Sequence, residues 1–340
     1  MSVAIFTGLS AASVLAAEQT DMPSAASFLP TFAQTKPAVD GVNGKIDVIG
    51  GAGQNNSVSI SSFQGLAPSA DSKTIWNGIG GATGTITVPL GHAFGAQLDL
   101  GSGAFGNSAL GAAAGHLFWR DPDKGLIGAY GDGLILGGKV GSGVWTAAGE
   151  FESYLGRFTG RAILGVQGAS YYRAGLSPFE VYAYGGPSAF NQVNYFHDIV
   201  KATFYPIDDL ALSVGHIYSF GRNAVTGEVE YLIPQFRGGN IAPSAFVSAA
   251  YGWNNSSNIL AGIRVYFGNH DKTLIRRQRE DDPYDYLNGA LFLSKDWCQR
   301  VHTLYNPYLD PRTDKNELLV RGAMGHCEGV YGPVFKVNRD

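Results

Sequence analysis

The sequence predicts an all-β fold, a closed antiparallel up-and-down transmembrane β-barrel of about twelve strands (roughly ten to fourteen) with a small C-terminal extension. Three observations predict it. Short runs of alternating apolar and polar residues recur along most of the chain, glycine accounts for 47 of the 340 residues, and only 15% of residues are charged. A period of two is typical of strands that bury one face. Many charge-poor strands favour a barrel, because closure removes unpaired edges.

The first 43 residues predict an export signal followed by a linker. Residues 2–17 form an apolar run without charge that is too short to cross a bilayer as a helix, and Val14 and Ala16 offer small side chains for cleavage. We therefore predict a signal peptide at residues 1–17, the alternative being an apolar N-terminus of a cytoplasmic protein. Residues 18–43 are rich in Ala, Ser, Thr and Pro without periodicity, which is typical of a flexible linker.

Twelve segments between residues 44 and 268 are predicted as strands, forming the barrel domain. Turn residues separate them every 8 to 14 residues or so, and no helical period interrupts them. The predicted strands are 46–53, 78–90, 94–103, 110–120, 126–136, 144–155, 158–169, 194–205, 210–220, 227–233, 242–253 and 257–267.

The polar faces of these strands favour a barrel over a sandwich. In the sixth segment, Trp145, Ala147 and Phe151 share one face, whereas Glu150 and Glu152 share the other. The polar faces consist largely of Gly, Ser, Thr and Gln, while exposed strands of soluble proteins usually carry Lys and Glu. This pattern indicates a lumen shielded from bulk water. The alternative is a secreted or periplasmic soluble β-sandwich that binds carbohydrate or another surface ligand.

Charge density changes abruptly at Gly268. From Gly268 to Asp340, 22 of 73 residues are Asp, Glu, Lys or Arg. We therefore predict a charged C-terminal extension at residues 269–340, placed in the periplasm and compatible with a short helix near residues 287–301.

Both cysteines, Cys298 and Cys327, lie in this extension. In an exported protein an even pair predicts one disulfide, which would close a loop of about 30 residues and stabilise the fold by about 3 kcal/mol. A metal site with His302 and His326 is an alternative, although an adjacent His and Cys rarely both reach one tetrahedral ion. Two free thiols are the third interpretation. We predict that the chain binds no metal.

Ionic residues on the polar strand faces are the candidate functional residues. A ring of such charges can orient solutes in a selectivity constriction. The alternative is a network of paired charges that holds together a narrow, filled barrel. The candidates form two groups along the chain, His116, Arg120, Asp132, Glu150 and Glu152 in the first and Arg161, His197, Lys201, His216 and Arg264 in the second.

No catalytic, cofactor or nucleic-acid site is predicted. A lipid-hydrolysing site needs His and Ser on one face, yet His216 and Ser219 are three apart on a strand and point to opposite faces. The pairs Gly78-x-Gly80 and Gly131-x-Gly133 do not complete a dinucleotide-binding motif, and we predict that they are strand glycines. A net charge of -4 offers no basic field for nucleic acid.

The chain resembles bacterial outer-membrane β-barrel proteins of the porin-like class. The resemblance covers residues 44–267 and includes a last strand, ending in Ile263, Val265 and Phe267, that finishes on an aromatic residue. It implies contact with outer-membrane lipid and recognition of this strand by the barrel insertion machinery. In this class the aromatic residue usually ends the chain, whereas here 73 residues follow it. An even strand number would place both barrel ends on the periplasmic side, where the extension could meet a partner.

The function expected from this resemblance is a passive pore or a structural membrane protein, non-enzymatic, in the outer membrane. The soluble sandwich described above is the alternative from another class. A barrel enzyme acting on lipid is the third reading. Trp76, Trp119, Trp145 and Trp253 fit either aromatic girdles of a barrel or stacking platforms of a binding domain.

Overall fold

The computed structural model describes residues 36–61, 69–106, 108–136, 140–173, 193–219, 222–236, 241–252, 256–268, 271–284, 317–320 and 335–338. Twelve of the described strands form one closed sheet. They are β1 (Asn43–Ser61), β2 (Ser69–Leu90), β3 (Phe94–Phe105), β4 (Ser108–Asp121), β5 (Gly125–Leu136), β6 (Val140–Leu155), β7 (Phe158–Arg173), β8 (Val193–Ile207), β9 (Leu210–Ser219), β10 (Arg222–Leu232), β11 (Ile241–Gly252) and β12 (Ser256–Phe267).

Each strand pairs antiparallel with its neighbours along the chain, and β12 pairs with β1 to close the barrel. The predicted up-and-down barrel of twelve strands is confirmed. The sandwich alternative is wrong, because a sandwich consists of two separate sheets, whereas here one sheet closes on itself. Gly78, Gly80, Gly131 and Gly133 lie within β2 and β5, so they are strand glycines and not parts of a nucleotide-binding loop.

The closing seam fixes the two ends of the barrel. Gly44 lies opposite Phe267, so β1 begins where β12 ends. We call this the terminal end, and the short turns at residues 91–93, 122–124, 156–157 and 208–209 lie there as well. We call the opposite end the loop end.

The two faces of the sheet have reversed polarity compared with a soluble protein. On β1, Ile46 and Val48 point outward and are 46% and 61% exposed, whereas Lys45 and Asp47 point inward and are buried. The same alternation continues through β12, where Ile263 is exposed outside and Arg264 is buried inside. An apolar outer face around a polar interior is the arrangement of a transmembrane β-barrel.

Short elements outside the barrel complete the described structure. A 3-10 helix covers Pro234–Phe236, a short helix that we call α1 covers Leu274–Glu280, and β13 (Glu317–Val320) pairs antiparallel with β14 (Phe335–Asn338). Within the described ranges, no helix has the length and apolar character needed to cross a membrane.

Several predictions fall outside the described residues. They are the signal peptide, the linker as far as residue 35, the helix near residues 287–301, and Cys298, His302, His326 and Cys327. The end of the predicted linker, residues 36–43, lies within the described residues. Ala38 and Val39 are buried against the barrel, because they pack at its terminal end.

Candidate functional site

The terminal end of the lumen is covered by residues 272–284, which we call the plug segment. The chain leaves β12 at Gly268, whose φ of 106° is accessible to glycine but strained for other residues. A Cβ at this position would also clash with the Asn43 side-chain oxygen. The turn directs the chain back across the barrel mouth. Part of the extension predicted as a separate periplasmic appendage is therefore packed against the barrel.

Helix α1 begins this crossing and is anchored by an apolar residue. Leu274 is fully buried in a cluster with Tyr205, Leu232 and Tyr266, which line the terminal end. Its backbone N–H donates to the Asp209 carboxylate over 3.2 Å, and the N–H of Ile275 donates to the Asp208 carbonyl over 3.0 Å. These bonds satisfy amide groups that a helix N-terminus leaves free.

A polar side chain of α1, Gln278, then binds the inner wall formed by β7, β8 and β10. Gln278 accepts hydrogen bonds from Tyr205 (2.7 Å) and Arg161 (3.2 Å) and donates to Glu230 (3.1 Å).

Arg279 makes the contacts nearest the rim. Its Nη2 donates to the backbone carbonyls of Gly156 (2.9 Å) and Phe158 (2.8 Å), and its Nε donates to Thr159 (3.1 Å). Charge-assisted bonds of this kind are stronger than neutral ones, so Arg279 fixes the end of α1 to the β6–β7 turn.

After α1 the chain turns into the lumen. The Asp281 carbonyl accepts from Arg120 over 3.1 Å, and the Asp282 carboxylate accepts from Thr87 over 2.9 Å. The Tyr284 hydroxyl then reaches Lys201 and Glu228, at 2.5 Å from each. Residues on opposite sides of the barrel thus hold the same short segment.

Residues 36–42 cover the rest of the mouth. The Ala38 N–H donates to the His92 carbonyl over 2.7 Å, and Val39 packs against Phe118 and Leu126. The Asp40 N–H donates to the Glu280 carbonyl over 3.3 Å, which joins this segment to the plug segment. Both segments that flank the barrel domain therefore close one opening together.

A buried charge cluster lies where these two segments meet. Lys272 contacts the carboxylates of Asp40 (3.1 Å), Glu280 (3.5 Å) and Asp281. Burial, together with the neighbouring Asp282 carboxylate, raises the pKa of Asp281 from 3.8 to about 7, although Lys272 and Arg277 act in the opposite direction. Burial is thus the main reason why Asp281 retains its proton, and the negative charge of Asp282 adds to it.

Arg264 is the centre of the first lumen network. It binds both carboxylate oxygens of Asp47, at 2.8 and 2.7 Å, and its Nη1 donates to Glu230 over 2.7 Å. The Tyr266 hydroxyl donates to the other oxygen of Glu230 over 2.7 Å. This network crosses the β12–β1 seam, so it holds the barrel closed.

A second network surrounds His116. Its two ring nitrogens lie 3.0 Å from Asp99 and 2.7 Å from Glu150, a geometry that suits an imidazolium with two N–H donors. Asp99 also accepts from Thr85 over 2.6 Å. The Asp99 carboxylate is thus held by a neutral donor as well as by the ring.

Two further ion pairs lie in the polar interior. The Arg161 Nε donates to Glu152 over 3.0 Å, and Lys201 forms an ion pair with Glu228. Every network joins residues from at least two strands. The arrangement can select or exclude solutes by charge.

The structure places nearly all of the predicted lumen residues on the inner face. His116 and Glu150 are brought together, whereas Glu152 of the first predicted group pairs with Arg161 of the second. The residues that face inward are His116, Arg120, Asp132, Glu150, Glu152, Arg161, His197, Lys201 and Arg264. Ile263, Val265 and Phe267 lie on the outer face of β12, at the closing seam.

His216 is a correction, because its side chain faces outward. Its neighbour Ile217 packs inside the barrel, so alternation directs His216 to the outer face. There its ring nitrogens contact Asp198 (3.0 Å) and Asn223 (2.8 Å). Ser219 faces inward and donates to Gln167, so His216 and Ser219 do point to opposite faces.

Sequence reasoning missed Asp47, Asp99 and Glu230 as members of the lumen networks. Each alternates with outward apolar residues on a predicted strand, so face parity was a signal that could have identified them. Tyr284 and Gln278 carried no such signal, because they lie outside the strands.

A scan against protein-family models finds no match for this chain, and a search of curated proteins finds none either. Among solved structures, the KdgM porin in complex with disordered oligogalacturonate is 9% identical with a TM-score of 0.38, over 66% of this chain and 99% of that one. The translocator domain of the autotransporter NalP from Neisseria meningitidis is 12% identical with a TM-score of 0.39, over 68% and 89%. The Salmonella typhi outer membrane phospholipase dimer with bound calcium is 10% identical with a TM-score of 0.34, over 66% and 90%.

Similarities this low do not indicate an activity for this chain. In its architecture the chain is a closed twelve-stranded antiparallel β-barrel with an apolar outer face and a polar interior, and it is similar to outer-membrane β-barrels.

Proposed function

We propose that this chain is an outer-membrane β-barrel of a Gram-negative bacterium that acts as a restricted passive pore. The observation that carries the proposal is the polar lumen whose mouth is covered by the chain's own plug segment. Gln278, Arg279 and Tyr284 hold that segment through side-chain hydrogen bonds to the wall. When the segment moves, water can replace the wall as the partner in these hydrogen bonds. A continuous apolar core has no such replacement partner and would keep the segment in place. Passage would be diffusion, without covalent chemistry.

The outer face supports membrane residence in the same proposal. Ile46, Val48 and Ile263 would contact lipid chains, and Phe267 would provide the aromatic end of the strand that the insertion machinery recognises. The outer membrane is favoured over other bilayers because strands, and not helices, make up the described barrel.

A structural role is the second candidate, and the pairing of the lumen charges favours it. Arg264, His116, Arg161 and Lys201 all have carboxylate partners inside the barrel. A lumen filled in this way holds strands together whether or not it conducts.

Conductance in planar bilayers separates the two candidates. We expect Arg279→Ala to conduct more often or at higher current than the unaltered protein, because Arg279 fixes α1 to the wall. Arg276→Ala is the matched control, since Arg276 binds Glu280 within the same helix. If neither Arg279→Ala nor deletion of residues 272–284 raises conductance, the pore proposal fails and the structural role stands.

Location is tested separately by cell fractionation and gel migration. We expect the protein in the outer-membrane fraction, with faster migration before boiling than after it, because a closed barrel resists detergent. Recovery from the soluble periplasm without a heat-dependent shift would contradict membrane residence.

A further inference from the structure

Two side chains that can carry charge, Asp198 on β8 and His216 on β9, interrupt the apolar outer face of the barrel. Among the strand residues whose side chains the structure describes, the other Asp, Glu, Lys, Arg and His residues face the lumen or lie at the terminal rim. The ring nitrogens of His216 lie 3.0 Å from the Asp198 carboxylate and 2.8 Å from the side-chain oxygen of Asn223 on β10. We call Asp198, His216 and Asn223 the outer trio.

Aromatic side chains indicate how deep the outer trio would lie in a bilayer. On β8, Phe196 and Phe204 both face outward, and each lies beside an aromatic ring of a neighbouring strand. Their separation of eight residues corresponds to about 26 Å of strand, or about 20 Å of height at a typical barrel tilt, which approaches the height of an apolar band. The pairing of β8 with β9 places His216 opposite Val200, halfway between the two phenylalanines. His216 therefore lies near the middle of the lipid-facing band.

Hydrocarbon chains are a poor environment for these groups. The side chains of His216 and Asp198 are 42% and 16% exposed, and polar groups that face hydrocarbon cost free energy unless they find hydrogen-bond partners. Water and lipid head groups begin at the edges of the band, about 10 Å from His216. A carboxylate can accept about four hydrogen bonds and a side-chain amide can donate two, so the contacts of Asp198 and Asn223 with His216 use only part of this capacity. These observations favour a neighbouring protein surface as the group that covers the trio.

A second copy of this chain fits the outer trio both by chemistry and by depth. The trio combines a carboxylate, an imidazole and an amide, so it offers donors and acceptors to an identical patch. Two copies inserted in the same direction are related by an axis along the membrane normal, so they present their trios at the same depth. The flanking outward residues Val200, Val214 and Val225 have short side chains, which allow the two walls to approach closely.

We propose that the outer trio is the polar centre of a contact between two copies of this chain in the membrane. His216 of one copy would bind the partner's Asp198, and the flanking valines would pack around this polar centre. The inference rests on the membrane residence proposed above, but it holds whether or not the lumen conducts.

Site-directed crosslinking tests the contact in membranes. The two native cysteines are replaced by serine, Val200→Cys is introduced, and a short bis-maleimide is added to the full-length protein. We expect a covalent dimer, because Val200 lies beside the outer trio. Ala82→Cys is the matched control, since Ala82 also faces outward but lies on β2, six strands away around the barrel. Equal dimer yields at the two sites, or monomer at both, would overturn the proposal.

Removal of the polar groups tests whether the outer trio drives association. Single-molecule photobleaching in vesicles counts the copies in each particle, and we expect Asp198→Val with His216→Val to weaken association by about tenfold or more. An equivalent pair of changes on the far wall, Leu98→Val with Leu100→Val, should leave association unchanged.

The heat-dependent gel shift of each variant shows whether its barrel has folded. Unchanged association of the folded Asp198→Val, His216→Val protein would overturn the trio as the contact. A monomer recovered from the outer membrane would overturn the contact alone, whereas recovery from the soluble periplasm would contradict membrane residence.

Discussion

At the scale of single residues, Arg264 shows how the barrel tolerates charge in its interior. Its guanidinium binds Asp47 with two parallel hydrogen bonds and Glu230 with a third. Bidentate geometry of this kind suits arginine and not lysine. The three side chains are buried, so each depends on the others for compensation of its charge.

Arg264→Gln is therefore expected to destabilise the barrel by about 3–5 kcal/mol, because Asp47 and Glu230 would remain buried after losing their ion pairs with Arg264. Urea unfolding of protein refolded into vesicles measures the change. Lys36→Gln is the control, since Lys36 and Asp123 form an exposed pair that contributes about 0–1 kcal/mol. Equal losses of unfolding free energy in the two variants would show that the buried Arg264 network stabilises the barrel no more than an exposed ion pair does.

His216 marks the limit of sequence prediction at this scale. Strand β9 carries apolar residues on both faces, with Ala211 and Ile217 inside and Leu212 and Val214 outside. Alternation then reveals a strand but does not identify the lumen face. On β1 and β12, where one face is ionic and the other aliphatic, the assignment could be made from sequence.

At the scale of elements, the twelve strands could be predicted and the plug segment could not. The strands follow from local alternation, which is a property of neighbouring residues. Helix α1 has seven residues, four of them charged, and nothing in that composition indicates burial. Its position depends on distant residues such as Asp209 and Tyr205, and single-sequence patterns do not contain such information.

The attachment of the plug segment is expected to weaken as pH rises. The pKa of Asp281 is about 7 in the folded protein, and its ordinary value of 3.8 applies to the unfolded chain. Between pH 4 and pH 7 the folded state therefore binds a proton that the unfolded state has lost. Stability therefore increases as pH falls from 7 to 4, by at most about 4 kcal/mol, and is lowest above pH 7. Urea unfolding at pH 5.5 and pH 8 measures this trend.

Asp281→Asn provides the comparison, because the amide imitates the neutral carboxyl at every pH. We expect this variant to lose much of the difference in stability between pH 5.5 and pH 8. An unchanged difference would show that the pH dependence does not come from Asp281.

At the scale of the whole molecule, the reversed polarity of the two faces determines which solvent the barrel needs. Large aliphatic side chains are exposed on every side, while the described ionic residues of the strands mostly face inward. In water this surface would associate, whereas in lipid it is at its most stable. Composition and alternation were sufficient to predict this property, because it depends only on which residues share a face.

Ile263→Arg tests this arrangement directly. Ile263 is 58% exposed on the outer face near the middle of β12, and a charge at mid-bilayer depth is expected to cost about 2–4 kcal/mol. Leu155→Arg is the control, because Leu155 ends β6 at the terminal end. A charge there is expected to cost about 0–1 kcal/mol. Folding equilibria in vesicles compare the two. Similar small costs at both sites would favour an aqueous surface.

The seam between β1 and β12 has a consequence for the order of assembly. Asp47 and Arg264 are separated by 217 residues, so their pairing restricts the longest loop in the barrel. Loop entropy grows only with the logarithm of length, and once the seam has formed, Asp40 and Glu280 are already neighbours. Their contact then adds little entropic cost of its own. Pairing of the last strand with the first thus also brings together the two segments that cover the mouth, residues 36–42 and the plug segment.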